Sequence, residues 1–386
     1  MPDLPIGTPY GTQAPQRRRR GLTPLLWIVM LIVLAYWAMA AACIWIDPYN
    51  VYSWGLTPRL LQADYSPEVI PYMVDDVAKD PTLDTVLVGG STSVDFTPEM
   101  MRLIPGVKNA FNLSYEGTMP YDRYVVTQEM LKYSHARRVL LAFDYNYALD
   151  AAQTRPEFPL YLYDSDWSDD SRMVGPTTFM AAASMALHRG TISNSGGALL
   201  NAKHALRFRD FQTPGEMRGL ARLVDQYRAT VDEPTANTCA DFHAIDDQLV
   251  PYARELSKRG VALDIFIPPY AAIFPFEWQT GQRRGELGKA ILNNQLAARR
   301  CLVEAVDGLP GVRVFAFDNE DWITGDLANY RDTAHTYSIK IQEFMMKAIA
   351  NGDHRLTKAN VDDYLSTLHR RSLAAKVYNS KVSFAP

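Results

Sequence analysis

The apolar positions of this chain follow two rhythms, short continuous runs and helical repeats. Continuous apolar runs are typical of strands that are buried on both faces, and they occur at residues 85–88, 139–143, 262–267 and 312–317. Helical repeats precede the last three runs, at residues 121–133, 245–259 and 282–306. Strands separated by helices imply crossover connections. We therefore predict an α/β fold with a three-layer, doubly wound and mostly parallel sheet.

The alternation of strands and helices stops between residues 151 and 236. This segment begins with a stretch rich in proline, aromatic and acidic residues and continues with helical patterns at residues 178–188 and 214–227. We interpret it as an insert that forms a cap over the edge of the sheet. Helical patterns also occur at residues 337–348 and 360–372, and residues 351–386 as a whole are predicted to form one helix followed by a frayed tail.

One segment near the amino terminus has the composition of a membrane span. Residues 22–46 contain no charged side chain, and as a helix they are about 37 Å long, more than the roughly 30 Å of a bilayer's hydrocarbon core. Four arginines at positions 17–20 precede the segment, and the next cation after it is Arg59. The positive-inside rule then places residues 1–21, a disordered tail rich in Pro and Gly, in the cytoplasm. Residues 47–350 form the extracytoplasmic domain, which is periplasmic if the source is a Gram-negative bacterium.

A cleaved signal peptide is the alternative interpretation of the same segment. The arginine-rich flank, the small residues at positions 40–42 and Cys43 resemble a processing or lipidation site. The apolar run is longer than the roughly 7–15 residues of a signal-peptide core. We therefore predict an uncleaved, single-pass anchor.

Charge and cysteine content narrow the classes of function. Lys and Arg number 39 against 43 Asp and Glu, a net charge of −4, which gives no electrostatic reason to bind nucleic acid. The three cysteines, Cys43, Cys239 and Cys301, lack the spacing of a zinc site, and we predict neither a metal nor a cofactor. In an oxidising compartment Cys239 and Cys301 either pair or remain free thiols.

The candidate chemistry follows the first and last predicted strands. In parallel α/β sheets the ligand crevice lies at the carboxyl ends of the strands. Ser91 comes directly after the first strand and two glycines, and Asp332 and His335 follow the last strand with the spacing D-x-x-H. A serine, a histidine and an orienting aspartate suit nucleophilic catalysis. Helix capping by Ser91 or Ser93 is the alternative role, and the run lacks the glycine pattern of nucleotide-phosphate loops.

Two short blocks resemble a known enzyme family. Residues 86–96 (VLVGGSTSVDF) resemble the first block of SGNH/GDSL-type hydrolases, and residues 330–338 (YRDTAHTYS) resemble their last block. The resemblance implies a flavodoxin-like three-layer fold in which Ser91 is the nucleophile, His335 the general base and Asp332 the residue that orients it.

The other two blocks of that family match less well. Residues 112–117 resemble the second block, which implies that Gly117 is an oxyanion donor. The third block, G-x-N-D, is missing, and Asn146, shortly after the second predicted strand, is the candidate for its oxyanion donor. Gly90 also stands where the family usually has Asp.

Two functions are compatible with these features. The first is a membrane-anchored serine esterase or O-acyltransferase that acts on an acylated glycan of the cell envelope, on a secreted polysaccharide or on a small ester. The second is a non-catalytic scaffold that binds polysaccharide or partners of an exopolysaccharide synthesis complex, since the chain also resembles membrane-anchored SGNH-like proteins of such systems. The aromatic residues of the insert either stack on sugars or pack in the core; these are Phe158, Tyr161, Tyr163 and Trp167.

Overall fold

The core of the molecule is a six-stranded, mostly parallel β-sheet with the strand order β2-β1-β3-β4-β5-β6. The structure, a computed structural model, describes residues 22–49, 51–52, 70–144, 152, 154–156, 158–164, 170–187, 214–234, 237–278, 290–336 and 338–384. The strands are β1 (Thr85–Val88), β2 (Ala110–Asn112), β3 (Arg138–Ala142), β4 (Ala262–Ile267), β5 (Val312–Ala316) and β6 (Arg355–Leu356). Strands β1 to β5 are parallel, and β6 pairs antiparallel with β5.

Helices cover both faces of the sheet because alternate strand residues point to opposite sides. The helices are α1 (Leu22–Ile46), α2 (Val74–Lys79), α3 (Pro98–Met101), α4 (Pro120–Tyr133), α5 (Pro176–Leu187), α6 (Pro214–Val231), α7 (Val250–Lys258), α8 (Phe274–Trp278), α9 (Ile291–Val306), α10 (Asp321–Thr324), α11 (Ile339–Asn351) and α12 (Val361–Ala374). Leu140, Phe266 and Phe315 pack against α3, α6 and α11 on one face. The other face packs against α2, α4, α7, α9 and α12.

The predicted α/β class with a mostly parallel sheet is confirmed. Two of the four apolar runs have the predicted strand bounds, and β3 and β5 differ from the prediction by one residue at one or both ends. The helix predicted at 245–259 begins as a π-helical segment, Ala244–Leu249, before α7. The helix predicted at 282–306 is described from Ile291 onward.

The carboxyl-terminal segment differs from the frayed tail that the sequence predicts. Strand β6 lies beyond residue 350 and joins the main sheet. The last residues form a hairpin of β7 (Lys376–Tyr378) and β8 (Lys381–Ser383). Val377 and Val382 are buried in the same cluster as α6 and α11. The segment is ordered because these valines add apolar surface to the core.

Helix α1 is long and apolar enough to cross a membrane. Its side chains are exposed from Pro24 to Ala38, whereas Ala40 and Cys43 are buried where α5 packs against the helix. The chain then turns at Asp47, which has φ 47°. The carboxylate of Asp47 accepts hydrogen bonds from the backbone N–H groups of Val51 at 2.9 Å and Tyr52 at 2.8 Å. This turn joins α1 to the domain.

A disulfide joins Cys239 to Cys301 in α9, with 5.4 Å between their Cα atoms. The sequence left the pairing of these two cysteines open. The remaining cysteine, Cys43, is free and buried.

The order of the strands determines where a ligand crevice can form. Strand β1 lies between β2 and β3, so the chain leaves β1 toward one side of the sheet and later returns to the other side. A crevice opens at the carboxyl ends of the strands at such a reversal. The loops that follow β1 and β2 lie at this edge.

Candidate active site

Ser91, His335 and Asp332 form a continuous hydrogen-bonded chain at the carboxyl edge of the sheet. The Nε2 atom of His335 lies 2.7 Å from the Oγ atom of Ser91, although the two residues are 244 positions apart. The Nδ1 atom of His335 lies 2.7 Å and 2.8 Å from the two carboxylate oxygens of Asp332. This is the arrangement in which a histidine removes a proton from a serine hydroxyl while a carboxylate fixes its orientation.

The turn after β1 separates the roles of its two serines. Ser91 and Ser93 lie in one turn of 3₁₀ helix, and neither side chain caps a longer helix. Ser93 is fully buried, and its hydroxyl lies 2.9 Å from the Ser114 hydroxyl and 3.0 Å from the Gly90 carbonyl oxygen. Ser91 is partly exposed and contacts His335 instead. Ser93 is therefore structural, and Ser91 is the serine whose partly exposed hydroxyl contacts His335.

The D-x-x-H turn is held by its own backbone. One carboxylate oxygen of Asp332 accepts hydrogen bonds from the N–H groups of Ala334 and His335, both at 2.9 Å. The N–H group of Arg331 donates to the His335 carbonyl oxygen at 2.8 Å. These bonds close the turn and aim the imidazole ring at Ser91.

The charge of Asp332 sets the tautomer of His335. Burial raises the pKa of Asp332, but hydrogen bonds from the His335 ring and from the backbone N–H groups more than offset this effect, so the pKa lies below its usual value. An ionised carboxylate only accepts hydrogen bonds, so Nδ1 of His335 must carry a proton. In the neutral imidazole Nε2 then has a free lone pair toward Ser91.

The loop after β2 brings Gly117 to the same edge of the sheet. Gly117 has φ 72°, a backbone conformation that favours glycine. The carboxylate of its neighbour Glu116 lies 3.3 Å from the guanidinium of Arg331, directly before Asp332. The guanidinium of Arg155, in the insert, donates to the Glu116 carbonyl oxygen at 2.7 Å. The candidate oxyanion loop is thus tied both to the D-x-x-H turn and to the insert.

Asn112, the last residue of β2, joins this loop to the serine turn. Its side-chain amide donates to the carbonyl oxygens of Ser93 at 2.8 Å and Phe96 at 3.0 Å. Its amide oxygen accepts from the N–H group of Ser114 at 2.8 Å. The other predicted oxyanion donor, Asn146, lies outside the described residues.

A buried ion pair occupies the space next to Gly90. The carboxylate of Asp144, which follows β3, pairs with the guanidinium of Arg123 from α4, and their side chains are 8% and 3% exposed. A Cβ atom added at Gly90 would overlap this guanidinium and lie 3.1 Å from the Asp144 carboxylate. A larger residue at position 90 would therefore require the Arg123 guanidinium to move, and Asp144 supplies a carboxylate beside that position.

The aromatic residues of the insert pack on the domain. The Phe158 ring lies 5.6 Å from the Tyr163 ring and 6.3 Å from the Tyr115 ring, between centroids. The hydroxyl of Tyr161 lies 3.1 Å from the Met173 sulfur, and Trp167 lies outside the described residues. Of the two roles considered for these aromatic residues, stacking on sugars or packing in the core, Phe158 and Tyr163 show packing.

Sequence reasoning missed the contacts that assemble this edge. These are the Glu116–Arg331 pair, the Ser93–Ser114–Asn112 network, the Arg155 contact and the Arg123–Asp144 pair. Many of these polar side chains follow closely on the carboxyl end of a strand in the sequence. This position is the sequence signal that could have identified them as neighbours. Within the part of the chain that the structure describes, no group of three or more His, Cys, Asp or Glu side chains is placed to hold a metal ion.

Comparisons with protein-family models, with curated proteins and with solved structures found no match for this chain.

Proposed function

We propose that this chain is a membrane-anchored, extracytoplasmic serine esterase or O-acyltransferase of the SGNH type, which acts through a serine acyl-enzyme. The observation that carries the proposal is the hydrogen-bonded chain from Asp332 through His335 to Ser91. The sheet order supports the SGNH type, because the serine follows β1 and the D-x-x-H turn comes after β5, the last parallel strand. Both lie at the carboxyl edge.

In the first half-reaction Ser91 becomes acylated. His335 accepts the hydroxyl proton on Nε2 while Oγ attacks the carbonyl carbon of an ester. Asp332 stabilises the imidazolium that forms. The tetrahedral intermediate collapses as the C–O bond to the alcohol breaks and His335 returns the proton to the leaving oxygen. The N–H groups of Ser91 and Gly117 are the proposed oxyanion donors, and one such donor contributes about 3–4 kcal/mol of transition-state stabilisation.

The second half-reaction decides the class of enzyme. A hydroxyl compound gives its proton to His335 and attacks the acyl carbonyl, which releases Ser91. Water in this position yields a carboxylic acid and makes the protein an esterase. A sugar hydroxyl yields a new ester and makes it an O-acyltransferase for an envelope or secreted polysaccharide.

The anchor supports the proposed location. Helix α1 is long and apolar enough to span a bilayer, and the arginines at positions 17–20 favour a cytoplasmic amino terminus. The Cys239–Cys301 disulfide agrees with an oxidising compartment for the domain.

Active-site labelling tests the proposal directly. A fluorophosphonate probe reacts with an activated serine, so we expect it to label the full-length protein at Ser91. Ser91→Ala and His335→Ala should lose both labelling and hydrolysis of a short-chain acyl ester. The exposed serine at position 171 provides the control, and Ser171→Ala should behave as wild type.

Two results would overturn the assignment. The first is a folded Ser91→Ala protein that still hydrolyses the ester at the wild-type rate. The second is a folded wild-type protein that is neither labelled nor active, which would favour the scaffold function.

A further inference from the structure

The end of α1 packs against helix α5, and both helices carry exposed apolar side chains, which we call the α1–α5 surface. Its exposed side chains are Ile44 (39%), Trp45 (67%), Phe179 (36%) and Met180 (67%). Groups of exposed apolar side chains on neighbouring elements indicate an interaction site. Two of these side chains belong to α1, the helix that is long and apolar enough to lie in lipid.

Helix α5 has the composition of a segment in contact with lipid. Its twelve residues, PTTFMAAASMAL, include no charged side chain. Thr178 and Ala182 are buried, and the backbone of Gly175, just before the helix, contacts the thiol of Cys43 in α1. The helix is about 18 Å long and packs near the last turns of α1. If α1 spans a bilayer, α5 lies at the depth of its outer interface.

A series of aromatic contacts connects this end of α1 to the candidate active site. Tyr49 stacks on Tyr72 with 5.3 Å between ring centroids. Tyr163 donates its hydroxyl hydrogen bond to the carbonyl oxygen of Pro71, next to Tyr72. Tyr163 also stacks on Phe158, and Phe158 stacks on Tyr115.

The last ring of this series belongs to the loop that carries Gly117. Tyr115 is buried and directly precedes Glu116, which pairs with Arg331 of the D-x-x-H turn. This series of contacts therefore links the exit of α1 to the edge of the sheet that bears Ser91. The opposite edge, where α7 ends and β4 begins, is not part of this series.

We infer that the α1–α5 surface is embedded in the outer interface of the bilayer that α1 crosses, and that it holds the Ser91 edge of the sheet toward that bilayer. Trp45 suits such a position because indole rings concentrate at membrane interfaces. The lipid surface covers Phe179 and Met180, which are otherwise exposed to water.

One consequence rests on the proposed function. A catalytic edge that faces the bilayer meets esters on membrane-borne molecules, such as an acylated glycolipid or a lipid-carried glycan. We expect these amphiphilic esters to be better substrates than esters free in solution.

Depth measurements on the full-length protein test the inference. Single cysteines replace Val33, Met119, Met180 or Lys258 in a Cys43→Ala background and carry an environment-sensitive fluorophore, with the disulfide kept oxidised. The protein is placed in nanodiscs of phosphatidylcholine and phosphatidylglycerol. Doxyl-labelled lipid reports contact with lipid, iodide reports contact with water, and energy transfer to an acceptor-labelled headgroup reports distance from the surface.

The positions have matched roles. Val33 lies in the middle of α1 and is the control for the anchor. Met180 tests α5, and Met119, which is 37% exposed, tests the Ser91 edge. Lys258 ends α7 at the opposite edge, and its side chain is 75% exposed. We expect the Met180 label to lose most of its fluorescence to doxyl lipid and little to iodide, with the reverse at Lys258. Energy transfer should be higher from Met119 than from Lys258.

Each contrary result has its own meaning. If iodide quenches the Met180 label as strongly as the Lys258 label, the placement of α5 in lipid is wrong. This result also covers the case in which a protein partner, rather than lipid, covers the surface in cells. Equal or lower energy transfer from Met119 overturns the orientation of the domain. A Val33 label that doxyl lipid leaves bright overturns the anchor itself. None of these readouts depends on catalysis, so fluorophosphonate labelling in the same nanodiscs tests the proposed activity separately.

Substrate presentation provides a second readout. Met180→Asp places a charge on the α1–α5 surface without touching the Ser91–His335–Asp332 chain. We expect it to lower hydrolysis of a vesicle-borne long-chain ester and to leave hydrolysis of a soluble short-chain ester unchanged. Lys258→Asp introduces the same charge at the opposite edge and should change neither rate. Equal loss on both substrates in a folded Met180→Asp protein contradicts a role in presentation.

Discussion

Asp332 acts on the candidate reaction only through the imidazole of His335. Its carboxylate lies within 2.8 Å of Nδ1 and accepts two backbone hydrogen bonds. In the proposed reaction it is a positioning residue, because Ser91 and His335 are the groups that would meet the substrate. It would fix the tautomer and the orientation of the His335 ring. A substitution of Asp332 removes this effect and leaves the Ser91 hydroxyl in place.

Asp332→Asn should lower kcat for ester hydrolysis by about 10⁴-fold, the scale seen when a triad aspartate becomes an amide. An asparagine amide group can donate to Nδ1, which favours the tautomer with its proton on Nε2, and that atom then cannot accept the Ser91 proton. KM should change little. Steady-state kinetics of the purified variant checks this, with the exposed Asp363→Asn as control. A kcat for Asp332→Asn within tenfold of wild type would show that the carboxylate does not orient the base.

Sequence could indicate the three candidate catalytic side chains but not the contacts that hold them. Ser91 lies directly after a strand, and Asp332 and His335 lie in one turn, so each is recognisable from local pattern. Glu116 and Arg331 are separated by 215 positions, and nothing in either local sequence specifies the partner. In the same way, the space beside Gly90 is filled by Arg123 of α4 and by Asp144, which follows β3, and local sequence does not show that these residues meet.

At the scale of elements, the length of an apolar run decided what was predictable. The four predicted runs correspond to strands of four to six residues. Strand β2 has three residues and β6 has two, and such short segments have no measurable period. The terminal hairpin was also missed, because it contributes only two buried valines and depends on tertiary contact with α6 for its order.

The disulfide connects the turn at Cys239 to α9 across a separation of 62 residues. In the chain-entropy description, a loop of this length stabilises the folded domain by about 4 kcal/mol. Reduction should therefore lower the midpoint of thermal unfolding, measured by circular dichroism on the detergent-solubilised protein.

The free cysteine provides the control for this measurement. Cys43→Ala keeps the disulfide and should respond to reductant as wild type does, whereas Cys239→Ala/Cys301→Ala should match the reduced protein without reductant. An unfolding midpoint that is the same with and without reductant would show that the bond does not stabilise the domain.

At the scale of the whole molecule, Asp47 joins helix α1 to the domain. Its side chain is buried, and this burial raises its pKa to about 6 despite two backbone hydrogen bonds that lower it. A raised pKa means that folding favours the protonated form. The corresponding stability is fully present below the unfolded pKa of about 3.9 and is lost as the pH rises through about 6.

Asp47→Asn should remove this pH dependence. The asparagine oxygen still accepts a hydrogen bond, and no charge is buried at neutral pH. We expect the variant to be more stable than wild type at pH 8, by at most about 3 kcal/mol, and nearly equal at pH 4. Thermal unfolding of both proteins in detergent across this range checks the prediction. A difference that is the same at pH 4 and pH 8 would contradict it.

The two edges of the sheet end in very short strands, β2 with three residues and β6 with two. Long bare edges pair with the edges of other chains and lead to aggregation, and proteins commonly avoid this by keeping edge strands short. If α1 anchors the protein in a bilayer, the protein meets its own copies at high local density in the plane of that bilayer. In that setting, short edges would allow many copies to crowd together on one membrane without their sheets joining into fibrils.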